Sequence, residues 1–245
     1  MGVKLERKKP RQLWLSLIYR FCNLPWASSK KKLKIFMNLE WAFDRLALEE
    51  SFHVFDNQIH PVRKYSRNFL LPLIESNHRV LDLGCKEGIM SDYLATKAKE
   101  VIGIDFHEPS INTAKNTYER ENLKFEAREA LEYLNETNDK FDVIILSHIL
   151  EHLDEPAKFL SDFKDYFKFF YIEVPDFDRF YMNHYRKDLK VELVYSDHDH
   201  INEFDRDELS DIINSVGLEI EKSEFRYGVQ KFWCKNPKYN INNGQ

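Results

Sequence analysis

From Arg79 onward the chain alternates short apolar runs with stretches of helical periodicity. That rhythm belongs to strands buried on both faces and joined by helices. Val80-Leu81-Asp82-Leu83 and Val101-Ile102-Gly103-Ile104-Asp105 read as two buried strands, with a helix over 89–97 between them. Residues 109–121 predict a helix with Pro109 near its start, and 123–127 predict a third strand. A fourth strand and its exit occupy 141–153, a helix 155–167, and a fifth strand 169–175, stopped by Pro175. A helix over 209–216 ends at Gly217, which suits the left-handed position past a helix C-terminus. Residues 218–225 and 228–234 then alternate as two closing strands.

Before Arg79 the pattern is helical. Residues 62–74 lead into the first strand, with Leu71-Pro72 bending or ending that helix. Residues 35–48 place Phe36, Leu39, Phe43 and Leu46 on one face. Residues 4–26 mix Lys and Arg with Leu13, Trp14, Leu15, Leu17, Ile18, Phe21, Leu24 and Trp26. Two readings stand open there: a basic amphipathic helix on an anionic membrane surface, or a helix packed on the main domain or a partner. Lys30 to Lys34 is a linker or a solvated helix start. Residues 176–205 are too long for an ordinary connection and too aromatic for a disordered one, which predicts a lid. The expected organisation is a basic N-terminal segment 1–34, a helical cap 35–78, a main domain 79–235 and a polar tail 236–245.

Charge changes the picture at the N-terminus only. The chain of 245 residues carries a formal net charge of -5, which argues against a general nucleic-acid binder. Met1 to Lys34 nevertheless holds ten Lys and Arg against Glu6 alone. Three cysteines, Cys22, Cys85 and Cys234, lack metal spacing and are odd in number, so a reducing, cytoplasmic compartment is expected. No apolar run reaches bilayer-spanning length, and 13–26 lacks the small-residue site of a secretory signal.

The densest chemistry lies in Asp82-Leu83-Gly84-Cys85-Lys86-Glu87-Gly88. Two of the 7 glycines fall in this one strand-to-helix turn, where glycine permits positive φ and close approach to a ligand. A carboxylate, Asp105, ends the next strand about 20 residues on, where a ribose-binding acid belongs in such a unit. The third signal is Ser147-His148-Ile149-Leu150-Glu151-His152 leaving the fourth strand. Together these ordered segments resemble the class I S-adenosylmethionine (SAM) methyltransferases, over about residues 79–234. The resemblance implies a Rossmann-like α/β fold with a seven-stranded sheet, a helical N-terminal extension and a lid insertion after the fifth strand.

It also implies roles. Asp82, Gly84 and Gly88 would shape the pocket for the methionine end of SAM, with Cys85 a small packing residue. Asp105 would hold the ribose hydroxyls. Phe106 would pack on adenine or else in the core, and Glu129 would stand in for the acid that binds the adenine amino group. Ser147 and His148 would lie near the methionine moiety or the acceptor. Lys86-Glu87 departs from the family pattern, which has glycine at the first of these positions.

Two histidine groups are candidates for a base that takes a proton from an acceptor hydroxyl. His148, Glu151 and His152 would share one face of a helical turn. They resemble the Glu-x-x-Glu-His cation cluster of ubiquinone-biosynthesis O-methyltransferases, with His148 replacing the first Glu; no metal is assigned. His200 resembles a histidine that precedes an aromatic and the late helix in small-molecule and sugar methyltransferases. A site from Asp197, His198, Asp199 and His200 together is disfavoured, because neighbours on an extended strand face opposite ways. The reading is SAM-dependent O-methylation of a small molecule, a sugar or glycan precursor of cell-surface polysaccharide. The enzyme would be cytoplasmic, with peripheral membrane contact through residues 4–34. The alternatives are a metal-using quinone or lipid O-methyltransferase and a non-catalytic scaffold subunit.

Overall fold

The computed structural model describes residues 13–56, 59–137, 140–191, 196–197 and 199–239. Seven strands form one sheet in the order β3-β2-β1-β4-β5-β7-β6. They are β1 (Arg79–Leu83), β2 (Glu100–Asp105), β3 (Leu123–Ala127), β4 (Phe141–Ser147), β5 (Phe167–Pro175), β6 (Glu219–Arg226) and β7 (Val229–Lys235). The first five run parallel, and β7 pairs antiparallel to β5 and β6. The sheet of the expected fold is therefore present.

Helices cover both faces: α4 (Ile89–Ala95) and α5 (Glu108–Thr117) on one, α7 (Pro156–Phe163) and α9 (Arg206–Ser215) on the other. The strands between them are apolar on both sides, so two cores form. One packs Leu81, Ile144 and Phe170 beneath α7 and α9; the other packs Val80, Val143 and Tyr171 beneath α4 and α5. Charge on the edge strand β6 (Glu219, Glu221, Lys222, Glu224) blunts sheet-to-sheet association. α9 starts with a capping box between Asp205 and Glu208, and Gly217 follows its end at φ 81°.

Three features differ from the sequence pattern. A helix α6 (Ala130–Thr137) fills the short β3–β4 connection, which carries no long apolar period of its own. The lid contains a second unexpected helix, α8 (Met182–Leu189). Its polar sequence hides its anchor. Arg186 is buried and donates to the Met37 carbonyl at 2.7 Å and to the Glu40 carboxylate. Those partners sit on the long cap helix α2 (Ser29–Val54), which starts at a Ser28 cap and runs through the expected boundary at 34/35. Lys30 to Lys34 is thus a helix start. Upstream lies α1 (Leu13–Cys22), and α3 (Pro61–Leu70) leads into β1. The basic residues before Leu13, the end of the tail and His198 lie outside the described residues.

Candidate active site

The glycine turn after β1 is built on left-handed backbone. Gly84 has φ 69°, Lys86 φ 48° and Gly88 φ 80°. A Cβ on Gly84 would lie 2.6 Å from Ile149 Cδ1, and one on Gly88 2.5 Å from the Phe125 ring, so both positions require glycine. Lys86 occupies the position where the family carries another glycine, and it pays in backbone strain. Its side chain and that of Glu87 are exposed. Lys86→Gly is expected to stabilise the ligand-free protein by about 1 kcal/mol, the left-handed penalty of an L-residue, and to raise Tm by roughly 2–4 °C. A thermal melt showing no gain would mean the loop carries no such strain.

Asp105 locks this turn to β2. Its Oδ2 accepts the Lys86 N–H at 2.9 Å, and its Oδ1 accepts the His107 N–H at 2.8 Å. A carboxylate oxygen has a second lone pair, so both oxygens keep acceptor capacity toward a ligand. Next to it the Phe106 ring is 89% exposed, which removes the core-packing alternative. Asp82 is buried and accepts from Ser91 Oγ at 2.5 Å, tying β1 to α4. Burial pushes its carboxyl up to about 7, offset in part by the Ser91 hydrogen bond. Cys85 is buried, and burial raises its thiol pKa, as a packing residue requires. Glu129 is exposed at the start of α6 and accepts the Glu132 N–H at 2.8 Å, so the structure uses it as a helix cap.

Beyond Ser147 the chain turns at His148, at φ 56°, into a 3-10 turn over Leu150–His152. Left-handed backbone at His148 brings it to Glu151, Nδ1 to Oε1 at 2.9 Å, while His152 Nδ1 lies 3.2 Å from the Asp199 carbonyl of the lid. The single helical face expected for His148, Glu151 and His152 is corrected accordingly. His148 Nε2 lies 3.4 Å from Glu173 Oε1, and Glu173 also accepts from the Tyr171 hydroxyl. The His148 ring is 41% exposed, and the Glu151 and Glu173 carboxylates beside it raise its pKa to about 10. The two carboxylates fix the orientation of the ring at the exit of β4.

His200 is brought to the same place from the lid. Ile201 and Asn202 donate their N–H groups to the Glu151 carbonyl at 2.9 and 3.0 Å, which holds the lid on the 3-10 turn. The buried His200 ring bonds Glu203 Oε1 at 3.0 Å through Nδ1 and packs edge-on to His152 at 4.9 Å. Burial lowers its proton affinity, yet Glu203 more than compensates, so its pKa stands above the ordinary histidine value. With the Nδ1 proton given to Glu203, Nε2 carries the lone pair. Glu203 belongs to the run of residues around His200 whose carboxylates the sequence offers as its neighbours, whereas Ser196, whose Oγ also meets Nδ1 at 3.2 Å, carries no sequence signal.

A cavity of about 220 Å3 adjoins His148 and His200. The cap supplies Trp41, Leu48 and Phe52, and the lid supplies Asp176, Phe177 and Arg179. Asp176 is buried and fixed by Arg206 at 2.7 Å. Salt bridges close the rim, Arg179 to Asp44 at 2.6 Å and Arg45 to Asp197 at 2.8 Å. In the helical cap, His60 is buried and stacks on Phe52 at 4.1 Å, Arg63 lies over the same ring, and Tyr65 stacks on Tyr227 at 4.2 Å. His53 lies in the last turn of α2.

One metal-compatible group also forms. Glu151, His152 and His200 bring one ligand atom each within 4.8 Å of one another, and Glu151 Oε2 is buried without a hydrogen-bond partner. Asp197, Asp199 and His200 make a second, more exposed group.

A methyltransferase-domain family model matches residues 57–223, more than half of the chain. The chain belongs to that family, and its fold is the class I SAM-dependent one. Among curated proteins it is 33% identical over 107 residues to a ubiquinone biosynthesis O-methyltransferase of Coxiella burnetii, covering 42% of this chain and 44% of that protein. A protein of the same name from Cereibacter sphaeroides is 30% identical over 106 residues, covering 43% of each. The chain thus spans less than half the length of these relatives. Two solved structures share the fold. They are magnesium protoporphyrin IX methyltransferase from Synechocystis with S-adenosylhomocysteine (TM-score 0.57, 17% identity, 80% of this chain and 94% of that one) and a Bradyrhizobium japonicum N-methyltransferase with the same ligand (TM-score 0.56, 15% identity, 76% and 92%).

Proposed function

We propose that the protein transfers the methyl group of SAM to a hydroxyl of a small-molecule acceptor. The observation that carries this is the pairing of a strained glycine turn with Asp105 and the exposed Phe106 ring, together with a cavity lined by His148 and His200. SAM supplies an already activated methyl on a sulfonium, so the protein's work is alignment, exclusion of water and removal of one proton. The Gly84–Gly88 backbone admits the methionine end, Asp105 accepts from the ribose hydroxyls, and Phe106 covers one adenine face. Ser147 leaves β4 beside them. His200 Nε2 accepts the acceptor's hydroxyl proton, and Glu203 stabilises the resulting imidazolium. The His148 cation, held by Glu151 and Glu173, keeps the acid-lined centre from becoming uniformly negative. The carboxylates and aromatic rings lining the cavity support a hydroxyl-rich acceptor such as a sugar or glycan precursor. Isothermal titration with SAM tests the reading: absence of binding would leave a scaffold with a methyltransferase fold.

The buried, unpartnered Glu151 Oε2 favours a second reading, in which Glu151, His152 and His200 would hold a divalent cation that would supply Lewis-acid polarisation of the acceptor hydroxyl, as the likeness to quinone O-methyltransferases suggests. Under it, chelation with EDTA abolishes turnover and magnesium restores it. Turnover indifferent to chelation leaves the His200–Glu203 base alone.

A further inference from the structure

α1 is unusual in having no buried residue at all. Leu13 is 79% exposed, Leu17 65% and Phe21 66%, and Trp14, Ile18 and Tyr19 are exposed as well, so apolar side chains point outward around the whole helix. The surface continues along α2, where Phe36, Leu39, Phe43 and Leu46 form an exposed stripe at helical spacing. α1 is held at its C-terminal end, where Lys32 Nζ donates to the Leu24 carbonyl at 3.0 Å and Trp26 packs edge-on against Phe36. An apolar area of this extent marks an interaction surface.

Charge decides what it fits. Residues 13–46 carry Arg20, Lys30, Lys31, Lys32, Lys34 and Arg45 against Glu40 and Asp44, whose carboxylates are paired with Arg186 and Arg179. A second copy of the chain would have to set this cationic face against itself in a two-fold contact. An anionic bilayer meets both the apolar area and the charge, and Trp14, Tyr19 and Trp26 are the residue types that settle at the headgroup level. Among the described residues no helix is long and apolar enough to cross a membrane, so the contact is peripheral.

We propose that α1 and the outward stripe of α2 dock the protein on an anionic lipid surface. The opposite side of α2 contributes Trp41, Leu48 and Phe52 to the cavity. Docking therefore brings the acceptor site to within about one helix diameter, roughly 10 Å, of the headgroups.

The test is co-sedimentation of the full chain with phosphatidylcholine vesicles, with and without phosphatidylglycerol. The protein is expected to pellet with the anionic vesicles and to be released by salt. Each basic residue near such a surface strengthens binding roughly five-fold, so K30Q/K31Q/K34Q should weaken it about 100-fold. Trp14→Ser with Leu17→Ser should weaken it on a salt-independent basis. Trp14, Leu17, Lys30 and Lys31 are exposed and Lys34 is half-buried, and unchanged SAM affinity and circular dichroism would show that the variants fold. Failure of the parent protein to pellet, or equal binding by the lysine variant, overturns the proposal. So does a dimer in sedimentation equilibrium that the Trp14/Leu17 variant converts to monomer, since a second copy would then be the occupant.

Discussion

His200→Ala is expected to lower the rate of methyl transfer by roughly 10²- to 10⁴-fold, the usual contribution of a positioned base, while leaving SAM affinity near that of the parent. The asymmetry follows from position. His200 belongs to the lid and lines the cavity proposed for the acceptor, whereas the residues proposed to hold the cofactor belong to the glycine turn and β2. The pH profile gives a second readout. A base works when unprotonated, so the rate rises with pH through the His200 pKa, and Glu203 holds that pKa above the ordinary histidine value against the opposing effect of burial. Glu203→Gln removes the carboxylate and leaves burial unopposed, so the inflection should move to lower pH. His148 makes the control. Pinned between Glu151 and Glu173 with a pKa near 10, it stays protonated across this range. Turnover unaffected by His200→Ala would place the base elsewhere.

The parallel sheet was legible because its strands are buried on both faces and therefore write their position as apolar runs. β3 was bounded at 123–127 from sequence, as found. The glycine turn was legible for a related reason, since positive φ restricts residue choice so strongly. What stayed hidden depends on contacts distant in sequence. Arg186 is polar by composition, yet it is among the most buried side chains because α2 offers a carbonyl and a carboxylate 149 and 146 positions away. The partition of the histidines was equally unreadable. A helical turn would have grouped His148 with His152, but left-handed backbone at His148 and the following 3-10 turn send His152 to His200 instead. Sequence also gave the exposed stripe on α2 its period without saying whether it faced inward. Phe43, at 67% exposure, answers that only in three dimensions.

Asp105→Ala is expected to weaken SAM binding by about 1.5–3 kcal/mol, the range for losing hydrogen bonds to a charged group, or roughly 10- to 150-fold in Kd. Two effects add at this residue. The carboxylate would accept from the ribose hydroxyls, and it already accepts the Lys86 and His107 N–H groups that shape the turn. Asp105→Asn separates them. The amide keeps one acceptor oxygen but meets the second backbone N–H with a donor, so one side of the turn should loosen. A ligand role alone predicts weaker binding with an unchanged melting temperature in the ligand-free protein. A purely structural role predicts a lower melting temperature with affinity recovered once the turn is ordered. Calorimetric affinity unchanged in Asp105→Ala would remove the ribose assignment.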